Sequence, residues 1–225
     1  SASNTYRLGA NEAPPAILSV FLGKNLSMML DNIANQVGDN KMTPEEKTAL
    51  KLGIARIPDI MLDNTDRNRT SPFAFTGNRF EFRAVGSSAN CAASIIALNA
   101  AVAHQLNQFR AEVEKLIAEG TGRDEAIFQV LKRLIIESKP VRFDGDRYSE
   151  EWRQEAARRG LTNITSAPEA ISKYLAPSSV EVFLKENIFN ETEIHGRVEV
   201  EYEKFSKKVQ IESRTLGDIA INHIV

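Results

Sequence analysis

Two hydrophobic rhythms divide the chain near residue 86. Ala16 to Leu22 is an apolar run broken only by Ser19 and closed by Gly23, which predicts a buried strand. Leu26, Met29, Leu30, Ile33 and Val37 then recur at spacings of three and four, one face of a helix that Gly38-Asp-Asn40 ends. Thr43-Pro44-Glu45-Glu46 predicts another helix start. Thr43 can cap, Pro44 suits the first turn, Glu46 closes a capping box, and the helix ends near Gly53. Residues 63–72 are polar and turn-rich. From Arg79 to Arg83 charged and aromatic residues alternate without exception, and successive strand side chains point to opposite faces. Phe80 and Phe82 therefore share one face, expected to hold the strand on a core, while Arg79, Glu81 and Arg83 share the other.

Everything after residue 86 reads as helix. Cys91, Ile95, Leu98, Val102, Leu106, Phe109, Val113 and Leu116 predict a helix of about eight turns that stops at Gly120. Ile127, Val130, Leu131, Leu134 and Ile135 mark a second, ending before Pro140, and a polar loop spans Val141 to Tyr148. Shorter helices are expected over 149–159, 167–175 and 178–188. A last helix runs from about Glu191 to the end, with Ile194, Val198, Tyr202, Phe205, Val209, Leu216 and Ile219 on one stripe. The expected architecture is α+β and mainly helical. Residues 1–86 hold strands and loops, and residues 87–225 form long amphipathic helices.

Composition narrows the function. The 225 residues are 42% hydrophobic and 26% charged, ordinary for a folded domain. Lys and Arg number 28 against 30 Asp and Glu, a net charge of -2, so there is no electrostatic case for nucleic acid or an anionic membrane. One cysteine, Cys91, excludes an internal disulfide and a cysteine-built zinc site; a small buried residue is expected there. No apolar run approaches the ~20 residues that span a bilayer. Ser1 to Leu8 lack a signal-peptide pattern and an initiator methionine, which reads as a chain excised from something longer and a cytoplasmic compartment.

Three segments carry candidate chemistry. On the strand, Arg79, Glu81 and Arg83 lie about 7 Å apart along one face. A carboxylate between guanidiniums suits a metal ion together with anionic oxygens, and Arg pairs bidentately with phosphate or carboxylate. A solvated face of charge pairs gives the same pattern. Ten residues earlier, Arg67-Asn-Arg69-Thr-Ser71 places two arginines and two hydroxyls in a turn that can grip a phosphate or simply face water. The first loop, Arg7-Leu-Gly-Ala-Asn-Glu12-Ala-Pro-Pro15, holds Arg7 and Glu12 among small residues. The three histidines have no metal-ligand spacing. No Walker, Rossmann or nucleophile-elbow pattern is present.

Taken in order, Tyr6-Arg7-Leu-Gly-Ala-Asn-Glu12-Ala-Pro-Pro15, Asn68-Arg69-Thr-Ser-Pro-Phe-Ala-Phe75 and Asn78-Arg79-Phe-Glu81-Phe-Arg83-Ala-Val-Gly-Ser-Ser88 resemble three motifs of glutamine synthetase. They match its Arg-Leu-x-x-x-Glu-Ala-Pro segment, its Asn-Arg-Ser/Thr loop and its Arg-x-Glu-x-Arg strand. The helical remainder resembles the large bacterial type III form as far as Leu216-Gly-Asp-Ile-Ala-Ile-Asn-His-Ile224. The resemblance implies a partial catalytic domain over 1–86, a C-terminal helical region over 87–225, and a ring-shaped homo-oligomer. It implies ATP-driven joining of glutamate and ammonia through a γ-glutamyl phosphate, with Mg²⁺ or Mn²⁺.

By motif position, Glu81 resembles the metal carboxylate, and Arg83 the arginine gripping glutamate or its acyl phosphate. Arg69 resembles the arginine facing the transferred phosphoryl group, and Arg79 a nucleotide-side contact. Arg7 resembles the reader of the glutamate carboxylate, and Glu12 the flap residue that takes a proton from ammonium. Two departures stand out. Better-known forms carry a second arginine where Ala74 or Phe75 stands, and a basic residue where Thr76 and Gly77 stand. The family's other metal ligands have no counterpart here, so this chain is expected to be inactive alone. Two other readings remain: a non-catalytic helical assembly module, and a ligase joining a different acid or amine.

Overall fold

The structure is a computed structural model of the chain; it describes residues 17–35, 71–76, 79–83 and 90–224. Most of these are helical, and three short strands form a small sheet in the order β1-β2-β3. Strand β1 is Val20–Phe21, β2 is Phe73–Phe75 and β3 is Phe80–Phe82. Strands β1 and β2 run parallel, with Val20 opposite Phe73, and β2 and β3 are antiparallel. The helix expected between Thr43 and Gly53 lies outside the described residues.

The expected strand over 16–22 is shorter than its apolar run suggests. Only Val20 and Phe21 pair in the sheet; Ile17 bridges Asn163 instead, and Leu18 is exposed. Burial of Ile17, Ser19 and Leu22 explains the apolar run. Helix α1, Lys24–Asn35, follows directly.

The long-helix readings agree with the structure. Helix α2 spans Ala92–Ala118 and α3 spans Arg123–Glu137. Gly120 between them has a φ of 96°, a left-handed conformation that favours glycine, and its N–H donates to the Ile117 carbonyl. The shorter helices are α4 (Glu150–Arg158), α5 (Ala167–Ser172) and α6 (Pro177–Lys185), and α7 covers Glu191–Ile219. Asn190 starts α7 with a full capping box. Its side chain accepts from the Glu193 N–H at 2.9 Å, and the Glu193 carboxylate accepts from the Asn190 N–H at 2.8 Å.

Two units can be described separately. In one (90–107 and 164–224 of the described residues), Ala100, Phe183 and Ile194 are fully buried, with Ile96 and Tyr174 packed around them. In the other (17–35, 71–76, 79–83 and 108–163), Val113 of α2 meets Ala126 and Val130 of α3. A second cluster there joins Ile17, Trp152 and Ala156, with the Phe143 ring stacked on Trp152 at 3.7 Å between centroids.

Two expectations need correction. Phe80 and Phe82 do not bury a core face. They are 49% and 42% exposed, and Phe80 instead packs on Phe73 and Phe75 in an aromatic patch across the hairpin. The buried face of the hairpin is the one carrying Ala74, which pairs with Glu81. Cys91 is exposed rather than buried, because it precedes the first helical turn instead of lying on its packed stripe.

Candidate functional site

Strand β3 carries the charged triplet because the hairpin register fixes its faces. Glu81 pairs with Ala74, and Phe80 and Phe82 pair with Phe75 and Phe73. Period-two alternation then sends the charged side chains to the opposite side from the rings. The hairpin is closed by the Thr76 N–H donating to the Arg79 carbonyl at 2.9 Å and the Arg83 N–H donating to the Pro72 carbonyl at 2.8 Å.

On that face Glu81 and Arg83 meet. The Arg83 Nη2 and Nε both donate to Glu81 Oε2, at 2.8 and 3.2 Å. The pair is partly open to solvent, so by itself it contributes roughly 0–1 kcal/mol to stability. A charged pair that adds so little stability yet leaves the second Glu81 oxygen outside it is suited to accept an incoming cation or to hand its guanidinium to an anion. Arg79 is exposed at the start of the same strand. Thus the structure brings Glu81 and Arg83 together, as the alternation predicts. Arg7, Glu12 and Arg69 lie outside the described residues.

The Asn-Arg-Thr-Ser loop ends at Ser71, its one residue among those described. Ser71 is buried; its hydroxyl donates to the Phe73 carbonyl at 2.9 Å and accepts from the Phe73 N–H at 3.3 Å. That hydroxyl shapes the turn into strand β2.

Among the described residues no three His, Cys, Asp or Glu side chains converge to hold a metal ion. Glu81 offers one carboxylate, and a hard divalent cation takes about six oxygens, so Glu81 can be one ligand and not a site. Also among the described residues, no helix is long and apolar enough to cross a membrane.

The known proteins decide the family. The glutamine synthetase C-terminal domain matches residues 126–225. The glutamine synthetase of Bacteroides fragilis (strain YCH46) is 69% identical over all 225 residues. The chain is a glutamine synthetase homologue. The type-3 glutamine synthetase of Dictyostelium discoideum is 40% identical over 216 residues, covering 96% of this chain. The glutamine synthetase of Butyrivibrio fibrisolvens is 37% identical over 231 residues, covering 97%. The chain spans 31%, 29% and 30% of these three relatives. Glutamine synthetase likeness therefore runs through the strand-bearing and the helical residues alike, as the three motifs imply.

Sequence reading passed over one charged region. The segment from Val141 to Tyr148, read as a polar loop, buries the guanidinium of its own Arg147. Arg147 Nε donates to Ser19 Oγ at 2.9 Å, and Nη2 donates to the Phe143 carbonyl. The signal was available as Lys139, Arg142, Arg147, Arg153, Arg158 and Arg159, six cations within 21 residues around a lone tryptophan.

Proposed function

We propose that the protein carrying this chain joins glutamate and ammonia to form glutamine, driven by ATP. Residues 1–86 contribute part of the catalytic domain, and residues 87–225 form a C-terminal helical region. The observation that carries this reading is the Glu81–Arg83 pair on one face of β3, standing within the third of three ordered motifs and within a chain 69% identical to a glutamine synthetase.

The reaction has two steps. The γ-carboxylate oxygen of glutamate attacks the terminal phosphorus of ATP, and ADP leaves with the electrons of the broken P–O bond. Ammonia then attacks the γ-carbonyl of the acyl phosphate, loses a proton, and phosphate leaves. Phosphoryl transfer depends on in-line positioning and on neutralising charge on the transferred group. Mg²⁺ or Mn²⁺, when bound, supplies part of that neutralisation, with Glu81 giving one oxygen ligand. Arg69 faces the transferred group, and Arg79 contacts the nucleotide. Arg83 holds the γ-carboxylate end as it becomes an acyl phosphate. Arg7 reads the glutamate carboxylate. Glu12, on a closing loop, takes the proton from ammonium and keeps water from the acyl phosphate. The 225 residues, about 30% of the length of the relatives they match, are expected not to turn over alone. The working protein is a cytoplasmic ring of identical subunits.

A second reading, a helical assembly module, draws on the exposed apolar stripe of α7, where Val209, Leu216 and Ile219 face solvent. A ligase for another acid or amine is the third. The deciding experiment is ammonium-dependent phosphate release from ATP and glutamate by the full-length protein, wild type beside Glu81→Ala. Loss of turnover by orders of magnitude, with an unchanged circular dichroism spectrum, supports the ligase. An equally active variant, or an inactive wild type, moves the assembly module ahead. Competition by other acids and amines separates the third reading.

A further inference from the structure

The segment after α3 and the end of α4 wall a cavity of about 610 Å³, within the usual size of a small-molecule site. Four cations line it: Lys139, Arg142, Arg158 and Arg159. Three carboxylates line it too, but one is already committed. Asp144 accepts from the Leu22 and Gly23 N–H groups at 3.0 and 3.1 Å and from Ser27 Oγ at 2.8 Å, closing the start of α1. Glu155 carries two guanidiniums at once, Arg158 and Arg159, at 2.6–2.7 Å. Asp31 is shared by Lys139 and Arg142, each at a loose 3.4 Å. Four cations therefore face three carboxylates.

Arg142 is the least satisfied of them. Its side chain is only 10% exposed. A guanidinium has five N–H donors. Among the described residues Arg142 uses one nitrogen, Nη2, in two long contacts: to Asp31 at 3.4 Å and to the Ile135 carbonyl at 3.3 Å. Its Nε is buried and finds no acceptor among the described residues. A buried charge with unused donors is costly, and acceptor oxygens bearing negative charge relieve it best. Arg159 holds the wall in shape by donating to the Pro140 and Arg142 carbonyls at 3.3 and 3.0 Å.

We propose that this cavity binds a compact oxyanion, a phosphate or carboxylate group of a small molecule, on the Arg142 guanidinium. Lys139 and Arg158, both well exposed, close on it from the mouth. A ligand that fits here is small and carries one or two negative charges, because the walls hold a surplus of one positive charge. The inference uses none of the roles given to Glu81 or Arg83.

The test is calorimetric titration of the intact protein with inorganic phosphate and, separately, with malonate, at fixed ionic strength. Saturable binding of the first alone indicates a phosphate group, of the second alone a carboxylate. Arg142→Gln should weaken binding about tenfold or more, the loss of one charge-assisted contact. Should that variant fold poorly, Lys139→Ala and Arg158→Ala alter exposed side chains and should each weaken binding severalfold. Lys115→Ala, a change to an exposed cation outside the cavity, should leave binding unchanged. The proposal is overturned if neither anion binds, or if binding survives all three cavity variants or is lost only in Lys115→Ala.

Discussion

His104 and Glu186 lie 82 residues apart in sequence, and the His104 Nδ1 sits 2.9 Å from the Glu186 Oε1. Both side chains are about nine-tenths buried, and Asn107 Nδ2 donates to the other carboxylate oxygen at 2.7 Å. One acid at the end of α6 thus ties two positions, one turn apart on α2, into the core around Phe183. Removing Glu186 takes a charged acceptor from the buried His104 and from the exposed Asn107. Glu186→Ala should lower stability by roughly 1–3 kcal/mol in urea unfolding. The double change His104→Leu with Glu186→Leu should lose less than the sum of the two single changes.

Gly145 is held against an aromatic stack. A Cβ there would lie 2.7 Å from the Phe143 ring, and that ring cannot swing away freely because it stacks on Trp152. Gly145→Ala should therefore cost about 1–3 kcal/mol. Trp152 is the one tryptophan of the 225 residues, so a shift in its fluorescence emission in this chain should accompany the loss.

Glu155 gives an acid-side signature. Hydrogen bonds from Arg158, then Arg159, draw its pKa from the usual 4.5 down to about 2. A carboxylate depressed in the folded state adds stability that is complete above the unfolded value and is lost as pH falls through the folded one. Stability of the wild type should thus decline between about pH 4.5 and 2 in part through this group. Glu155→Gln should lower stability at neutral pH and flatten that decline, read from urea midpoints across the window.

The stripe of α7 changes character along its length. Ile194 is 1% exposed and Leu216 is 67% exposed, though both fall on the same predicted face. Ile194→Ala should cost about 2–5 kcal/mol, while Leu216→Ala should stay within about 0.5 kcal/mol in the unfolding of this chain. If α7 docks a second subunit along its later turns, Leu216→Asp will instead change the sedimentation coefficient of the full-length protein.

Much of the fold was legible because it depends on local periodicity. The 3.6-residue rhythm from Ile95 to Leu116 and the stop at Gly120 need no distant partner to be recognised. The alternation from Arg79 to Arg83 likewise set which side chains share a face, and Glu81 and Arg83 do meet there. What could not be read was the far side of each pattern. Phe80 and Phe82 carry every mark of a core face, yet they lie half-exposed against Phe73 and Phe75. The apolar run at Ile17 to Leu22 predicts strand pairing, yet only two residues pair; Ile17 packs on Trp152 and Ala156 of α4, Ser19 meets Arg147 in the loop before it, and Leu18 is exposed. The same limit hid Arg142, whose neighbours come from α1, α3 and α4.

By itself, then, the sequence determined the helical spans, the charged face of β3 and the three motifs of the glutamine synthetase family. Each is written in spacings of two to four residues or in short ordered strings. Tertiary structure alone decided that Glu186 would reach His104, that Asp144 would close the start of α1, and that four cations would gather around three carboxylates. Those outcomes depend on which segments approach one another over separations of about 80 to 120 residues. Burial then sets their electrostatic weight, because a charge withdrawn from water must find its partner within the fold or in a ligand.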